Sequence, residues 1–209
     1  MSLDFEHRFQ PAGDAARRPL LLLHGTGGNE DDLLPLGALL APGAALLSPR
    51  GKVLERGMPR FFRRLGEGVF DEEDVRFRAG ELADFVVAAR REYGLAAPVA
   101  VGFSNGANIA AAVLQLRPDT LAAAVLLRPM VTLQEPPAAD LRGKPVLVVS
   151  GAADPLVPVD NARRLAAQLA AAGAAVDHQI VPTGHALSET DVEIARSWIE
   201  RLGEAASPN

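Results

Sequence analysis

Apolar residues fall along the chain in two alternating patterns. Short uninterrupted runs are bounded by Gly, Pro or Asp, and longer stretches repeat an apolar position every three or four residues. The short runs predict strands over residues 5–10, 19–23, 44–48, 98–103, 122–127, 145–150 and 175–181. The middle ones, such as Leu20 to Leu23 and Val146 to Val149, show no polar alternation, which is the pattern of strands covered on both faces. The longer stretches predict helices over 72–93, 105–116, 159–172 and 188–202. The first opens with Asp71, Glu72, Glu73 and Asp74, acids suited to the positive end of a helix, and stops at Gly94. Strands alternating with helices predict an α/β fold, a mostly parallel central sheet flanked by helices on both faces, in one domain over 1–209. Residues 49–70 break the alternation with five Arg and four Gly. This stretch is too polar for core and too long for a simple connection, so it reads as function-specific surface, with Arg60, Arg63 and Arg64 on a solvated face.

Composition narrows the chemistry. The 209 residues are 48% hydrophobic and 22% charged, enough to bury a core and unlike a disordered chain. A net charge of −5 lacks the basic excess that a phosphate backbone attracts, so no nucleic-acid partner is expected. There is no cysteine, which removes disulfides, thiolate metal sites and thiol nucleophiles together. Lys52 and Lys144 are the only lysines, and neither lies in a phosphate-binding G-x-x-x-x-G-K-[ST] string. The start of the chain is acidic rather than basic, and no apolar run approaches the roughly 18 residues of a membrane span. The expectation is a cytoplasmic protein, for which a homodimer is an open option.

The string Gly102-Phe103-Ser104-Asn105-Gly106 follows a buried strand and opens a helix of small residues. That is the order of a nucleophile elbow. Turning from strand to helix within one residue strains the serine backbone, and the flanking positions must be glycine because helix and strand pass too close for side chains. Such a serine needs a base, and the base an orienting acid, in the chain order Ser, acid, His. Only His178 and His185 follow Ser104. His178 alternates outward on a predicted strand, whereas His185 lies in the loop after it, so His185 is the candidate base. Asp154, in the turn after strand 145–150, is the candidate acid. Asp119 and Asp140 precede their strands, and Asp160 and Asp191 fall in or at the start of helices, where capping or solvated roles suit them better. The oxyanion hole needs two backbone N–H groups. One is assigned to Asn105, and the other to Thr26 in the loop His24-Gly25-Thr26-Gly27-Gly28, where His24 reads as a brace. No H-E-x-x-H string or carboxylate cluster points to a metal, and no cofactor is expected.

These motifs resemble the α/β-hydrolase superfamily, and more narrowly its small phospholipase/carboxylesterase group with the acyl-protein thioesterase-like enzymes. The resemblance rests on Leu20 to Gly28, Ser48-Pro49-Arg50-Gly51, Gly102 to Asn108, Gly151 to Pro158 and Gly184 to Leu187. The stretches Met58 to Arg64 and Val69 to Glu73 are similar to a bacterial carboxylesterase branch, some of whose members are linked to quinone or aromatic-compound stress. The resemblance implies an α/β-hydrolase fold without a large cap domain, and cleavage of short-chain or small aromatic carboxylic esters through an acyl-serine. Thioester or lysophospholipid hydrolysis on the same triad is the alternative. A non-catalytic small-ligand receptor is the reading from another class. By analogy with family members lacking a cap, Phe62, Phe70, Met130 and Leu156 line a substrate groove, each with ordinary packing as its competing explanation.

Overall fold

A computed structural model describes residues 3–205. The seven predicted strands form one sheet, shifted at their ends by a residue or two: β1 (His7–Gln10), β2 (Leu20–Leu23) and β3 (Leu46–Pro49) come first. Two small hairpins follow, β4 (Val53–Glu55) with β5 (Met58–Arg60), and β6 (Arg64–Gly66) with β7 (Val69–Phe70). The main sheet is completed by β8 (Val99–Phe103), β9 (Ala123–Leu127), β10 (Pro145–Gly151) and β11 (Ala175–Val181). Its order is β1-β3-β2-β8-β9-β10-β11, antiparallel only where β1 meets β3.

Period-2 alternation sorts the strand residues onto two cores. Leu21, Leu23, Leu47, Ala100, Ala124, Leu126, Val146 and Val148 face one core, with helices α2 (Glu72–Glu92), α3 (Asn105–Leu116) and α4 (Val159–Ala171). Leu20, Leu22, Leu46, Val101, Val125, Leu127, Leu147 and Val149 face the other, with α1 (Leu34–Leu40) and α5 (Glu189–Ala205), whose Trp198 is buried there. Both faces being covered is why these strands carry no polar alternation. Every residue of α3 from Asn105 to Gln115 is buried. No helix among the described residues is long and apolar enough to cross a membrane.

Two sequence expectations are corrected. Helix α1 was not foreseen. The stretch 49–70 is not simply irregular polar surface, because its two hairpins drive Phe61 and Phe62 into the core that faces α2. Phe62 is 0% exposed and packs edge-on to Phe70 with ring centroids 5.2 Å apart. Its large apolar ring gains more from complete burial than from lining a wet groove, so Phe62 is a core residue and not a groove residue. Arg60 is likewise buried, while Arg63 is exposed.

Truncating Phe62 to Ala removes a fully buried ring and is expected to cost about 3–5 kcal/mol in urea unfolding. A loss below about 1 kcal/mol would mean that the hairpin segment is not part of the core.

Candidate active site

Four of the parallel strands deliver the candidate residues at their C-terminal ends, the edge at which open α/β sheets bind ligands. Thr26 follows β2, Ser104 follows β8, Asp154 follows β10 and His185 follows β11. Ser104 occupies φ 50° and ψ −110°, a conformation rarely adopted by a residue with a side chain. Space demands the glycines on either side. A Cβ on Gly102 would stand 2.5 Å from the carbonyl oxygen of Gly106, and one on Gly106 would stand 1.9 Å from that of Leu23.

His185 links the other two side chains. Its Nδ1 lies 2.8 Å from Asp154 Oδ2 and its Nε2 lies 3.1 Å from Ser104 Oγ. With Nδ1–H donated to the carboxylate, the Nε2 lone pair is left facing the serine hydroxyl. The Asp154 carboxylate is fully buried, and its Oδ1 accepts the N–H groups of Leu156 at 2.8 Å and Val157 at 3.0 Å. Both carboxylate oxygens are therefore held, which fixes the ring it orients.

The N–H groups of Thr26 and Asn105, the expected oxyanion donors, have no acceptor among the described residues, and both residues line the groove above Ser104. The loop carrying Thr26 is braced from below. Buried His24 donates from Nδ1 to Gly25 O at 2.7 Å and accepts the Gly51 N–H on Nε2 at 3.0 Å. Burial pushes its imidazole below the ordinary value, which keeps Nε2 an acceptor. Asn105 contributes its side chain as well, with Oδ1 accepting the Phe61 N–H at 2.7 Å.

The groove holds about 320 Å³. Phe70, Met130 and Leu156 line it as expected, joined by Phe103 and Val157; Phe62 does not. Four polar lining residues were missed: Arg60, Arg64, Glu67 and Asn108. Asn108 is buried, and its Oδ1 is committed to the Met130 N–H at 2.7 Å, which leaves its Nδ2 without a partner among the described residues. Arg60, read from sequence as solvated, is 3% exposed. Its Nε donates to Phe62 O at 3.2 Å and its Nη1 to Thr26 Oγ1 at 2.6 Å, leaving Nη2 without a hydrogen-bond partner among the described residues. The nearby carboxylate of Glu55 lies 3.4 Å from Arg60 but makes its hydrogen bonds to Arg64. Burial first, and Arg64 second, push the Arg60 guanidinium below its ordinary value. An arginine within an apolar-flanked hairpin gives no sequence signal of burial, because its partners Thr26 and Phe62 O are set only by the fold.

Other expectations about side chains shift as well. His178 is not solvent-facing but half-buried, 2.8 Å from Ser150 Oγ and outside the groove. Asp191 takes the capping role of its two expected roles, accepting the Ser188 N–H and hydroxyl at the start of α5, but it is buried and also paired with Arg128. Burial alone would raise its carboxyl, but hydrogen bonds from Arg128 and Ser188 hold it below the ordinary value. A larger hollow of about 690 Å³ opens beside Leu20 and Val99, at the opposite ends of the strands from Ser104.

Gly106→Ala is expected to lower stability sharply, since backbone and not a flexible side chain blocks its Cβ. Gly80→Ala in α2, where nothing lies within 4 Å, is expected to raise stability by up to about 1 kcal/mol. Thermal melting of the two variants separates the elbow constraint from a general intolerance of added methyl groups.

The geometry has close counterparts. The chain is 46% identical over 181 residues, 86% of its length and 90% of the other's, to MhqD of Bacillus subtilis (strain 168), named as a hydrolase. The crystal structure of the Bacillus cereus carboxylesterase is 46% identical and superposes with a TM-score of 0.92 over 95% of this chain and 94% of that one. YahD, solved with malic acid, is 27% identical with a TM-score of 0.89 over 94% of this chain and 98% of that one. Residues 70–204, which hold the elbow, the acid turn and the histidine loop, match the model of the dienelactone hydrolase family. By that match and by an identity of this size across nearly all of a relative's length, the chain is a hydrolase and belongs to the dienelactone hydrolase family.

Proposed function

We propose that the chain hydrolyses small carboxylic esters by a two-step acyl-serine route. The observation that carries this reading is the unbroken line from Ser104 Oγ through His185 to a buried, doubly held Asp154 carboxylate. Ser104 Oγ attacks the ester carbonyl as His185 Nε2 takes its proton, and the carbonyl oxygen turns negative towards the N–H groups of Thr26 and Asn105. His185 returns the proton to the departing alcohol. Water then bonds to the acyl carbon as it gives a proton to the same nitrogen, the bond from that carbon to Ser104 Oγ breaks to release the acid, and His185 returns the proton to Oγ. A receptor on this fold has no use for the relay, which favours catalysis over ligand storage.

The size and lining of the groove favour short substrates. Its volume of about 320 Å³ is at the lower end of ligand pockets. The apolar walls of Phe70, Phe103 and Met130 receive only a few methylenes, each worth about 0.8 kcal/mol where a surface covers it. The uncommitted donors of Arg60 and Asn108 favour esters with a second oxygen-bearing or anionic group. Malic acid, found with the similar YahD, has that size and charge.

A fluorophosphonate probe is expected to add one equivalent to the wild-type protein and none to Ser104→Ala, which keeps its fold and loses ester hydrolysis. Labelling that survives in Ser104→Ala would move the nucleophile elsewhere. Across p-nitrophenyl esters from acetate to palmitate, kcat/KM is expected to peak at about two to six carbons; a maximum at twelve or beyond would turn the reading towards thioester or lysophospholipid substrates. Arg60→Met is expected to lower kcat/KM about tenfold or more for an ester bearing a carboxylate, and much less for its neutral analogue. Equal losses on the two would remove the anion preference.

A further inference from the structure

Ser104 and His185 come from strands separated in the sheet by β9 and β10. The end of β9 reaches both. The Leu127 carbonyl accepts the Ser104 N–H at 2.8 Å. The next residue, Arg128, sits at φ 57° with its side chain fully buried, a conformation that costs energy outside glycine. Its guanidinium spans the histidine loop. Nε donates to Gly184 O at 2.9 Å, and Nη2 donates to Thr183 Oγ1 at 2.9 Å and to Ala186 O at 3.4 Å. Nη1 reaches back to Val149 O at 3.4 Å, on the strand that leads to Asp154.

These acceptors lie on residues 183, 184 and 186, on both sides of His185. Among the described residues, backbone bonds hold the loop at Thr183 alone, whose N–H donates to Val181 O at 2.8 Å and whose carbonyl accepts the Ala153 N–H at 3.0 Å; no backbone N–H from 184 to 187 finds a backbone acceptor. The fork is fixed in turn by Asp191, which takes Nη1 at 2.7 Å and Nη2 at 2.9 Å while also accepting the Ser188 N–H and hydroxyl. Gly151 allows the close approach, since a Cβ there would stand 2.4 Å from Gly184 O and 3.2 Å from Arg128 Nε. A buried ion pair is a weak source of stability compared with apolar packing of the same volume, so a positive-φ arginine and its aspartate are a costly way to fill this space. What apolar packing cannot supply is several donors in a fixed plane aimed at loop oxygens.

We propose that Arg128 is a positioning residue for the base: its guanidinium holds loop 183–186 so that His185 Nε2 stays within reach of Ser104 Oγ. The proposal rests on the reading of Ser104 and His185 as nucleophile and base. Arg128 does not line the groove, so its loss acts on the proton transfer and not on substrate binding. Misplacing a reacting group by about 1 Å costs on the order of 100-fold.

The test compares Arg128→Lys, which keeps a charge for Asp191 but lacks the fork, with the double variant Arg128→Met/Asp191→Leu, which removes both charges and leaves an apolar fill. For p-nitrophenyl acetate, both are expected to lose about 10- to 100-fold in kcat with KM within about twofold of wild type. Their fluorophosphonate labelling should slow to match when both are assayed well below their melting temperatures, which the lost contacts to Ser188 and the loop oxygens are expected to lower. If either variant, folded at the assay temperature, keeps wild-type kcat and labelling rate, the positioning role is overturned. The same holds if kcat falls only in proportion to the fraction of unfolded protein. Wild-type protein that takes up no phosphonate at Ser104 would instead overturn the acyl-serine reading on which this proposal stands.

Discussion

The site depends on how closely α3 approaches the strands beneath it. The start of that helix presses against β2 and β8 until no atom fits between backbone and backbone, as the 1.9 Å and 2.5 Å clearances at Gly106 and Gly102 record. A turn that tight leaves Ser104 in a conformation that costs on the order of 1–3 kcal/mol. The cost is borne by a helix buried along almost its whole length, whose apolar side chains have no other place to go. The same approach brings the loop after β2 against the first turn of α3. Two N–H groups without acceptors among the described residues, at Thr26 and Asn105, therefore flank the strained hydroxyl, and the positive end of the helix lies behind it.

The features legible in the sequence were those whose cause is local or absolute. A strand covered on both faces must be apolar at every position, so the runs from Leu20 and Val146 could be read without knowing their neighbours. The elbow was legible because only glycine satisfies it. Helix α1 escaped because it has seven residues with Pro35 and Gly37 among them, and Gly37 is small for a reason the sequence cannot display: a Cβ there would meet Leu22 Cδ1 at 2.8 Å. The hairpins at 53–70 escaped because strands of two or three residues carry no period. Burial of Phe61 and Phe62 depends on partners distant in sequence, such as His24 against Phe61 and the Asn105 side chain on its N–H. Arg60 was misread, and Arg128 and the buried pairing of Asp191 were passed over, for one reason: a charged residue is assigned to solvent by default, and only tertiary contacts override that default. Arg128 did leave a trace, standing directly after an all-apolar strand at the edge where the other site residues gather.

Buried charge is distributed unequally around Ser104. On the histidine side every buried charged group is hydrogen-bonded: Asp154 by the imidazole and two N–H groups, and Arg128 by Asp191. On the opposite side Arg60 is matched in part, because Glu55 is shared with Arg64. Burying a cation with an incomplete partner is expensive, and the cost falls when a ligand brings acceptors. The asymmetry therefore gives the groove a direction. The relay wall carries the Asp154 carboxylate beside a neutral imidazole, while, in the proposed reaction, the donors on the other wall favour a substrate whose second polar group points away from the histidine.

Asn105 joins these two walls. Its side-chain oxygen holds the Phe61 N–H, next to Arg60, while its backbone N–H stands beside Ser104. The arrangement has a defect, since Nδ2 of the same amide is buried without a partner among the described residues. Such a group costs about 1–3 kcal/mol. Aspartate at this position would accept the same N–H and strand no donor. It would also place a full negative charge beside the point at which, in the proposed reaction, the acyl oxygen becomes negative. At effective dielectric constants of about 20, a unit charge a few ångströms away is worth several kcal/mol, more than the orphaned amide costs. An asparagine with one unsatisfied hydrogen-bonding group is therefore the cheaper solution, and the defect follows from anchoring the hairpin segment with a side chain that must stay neutral.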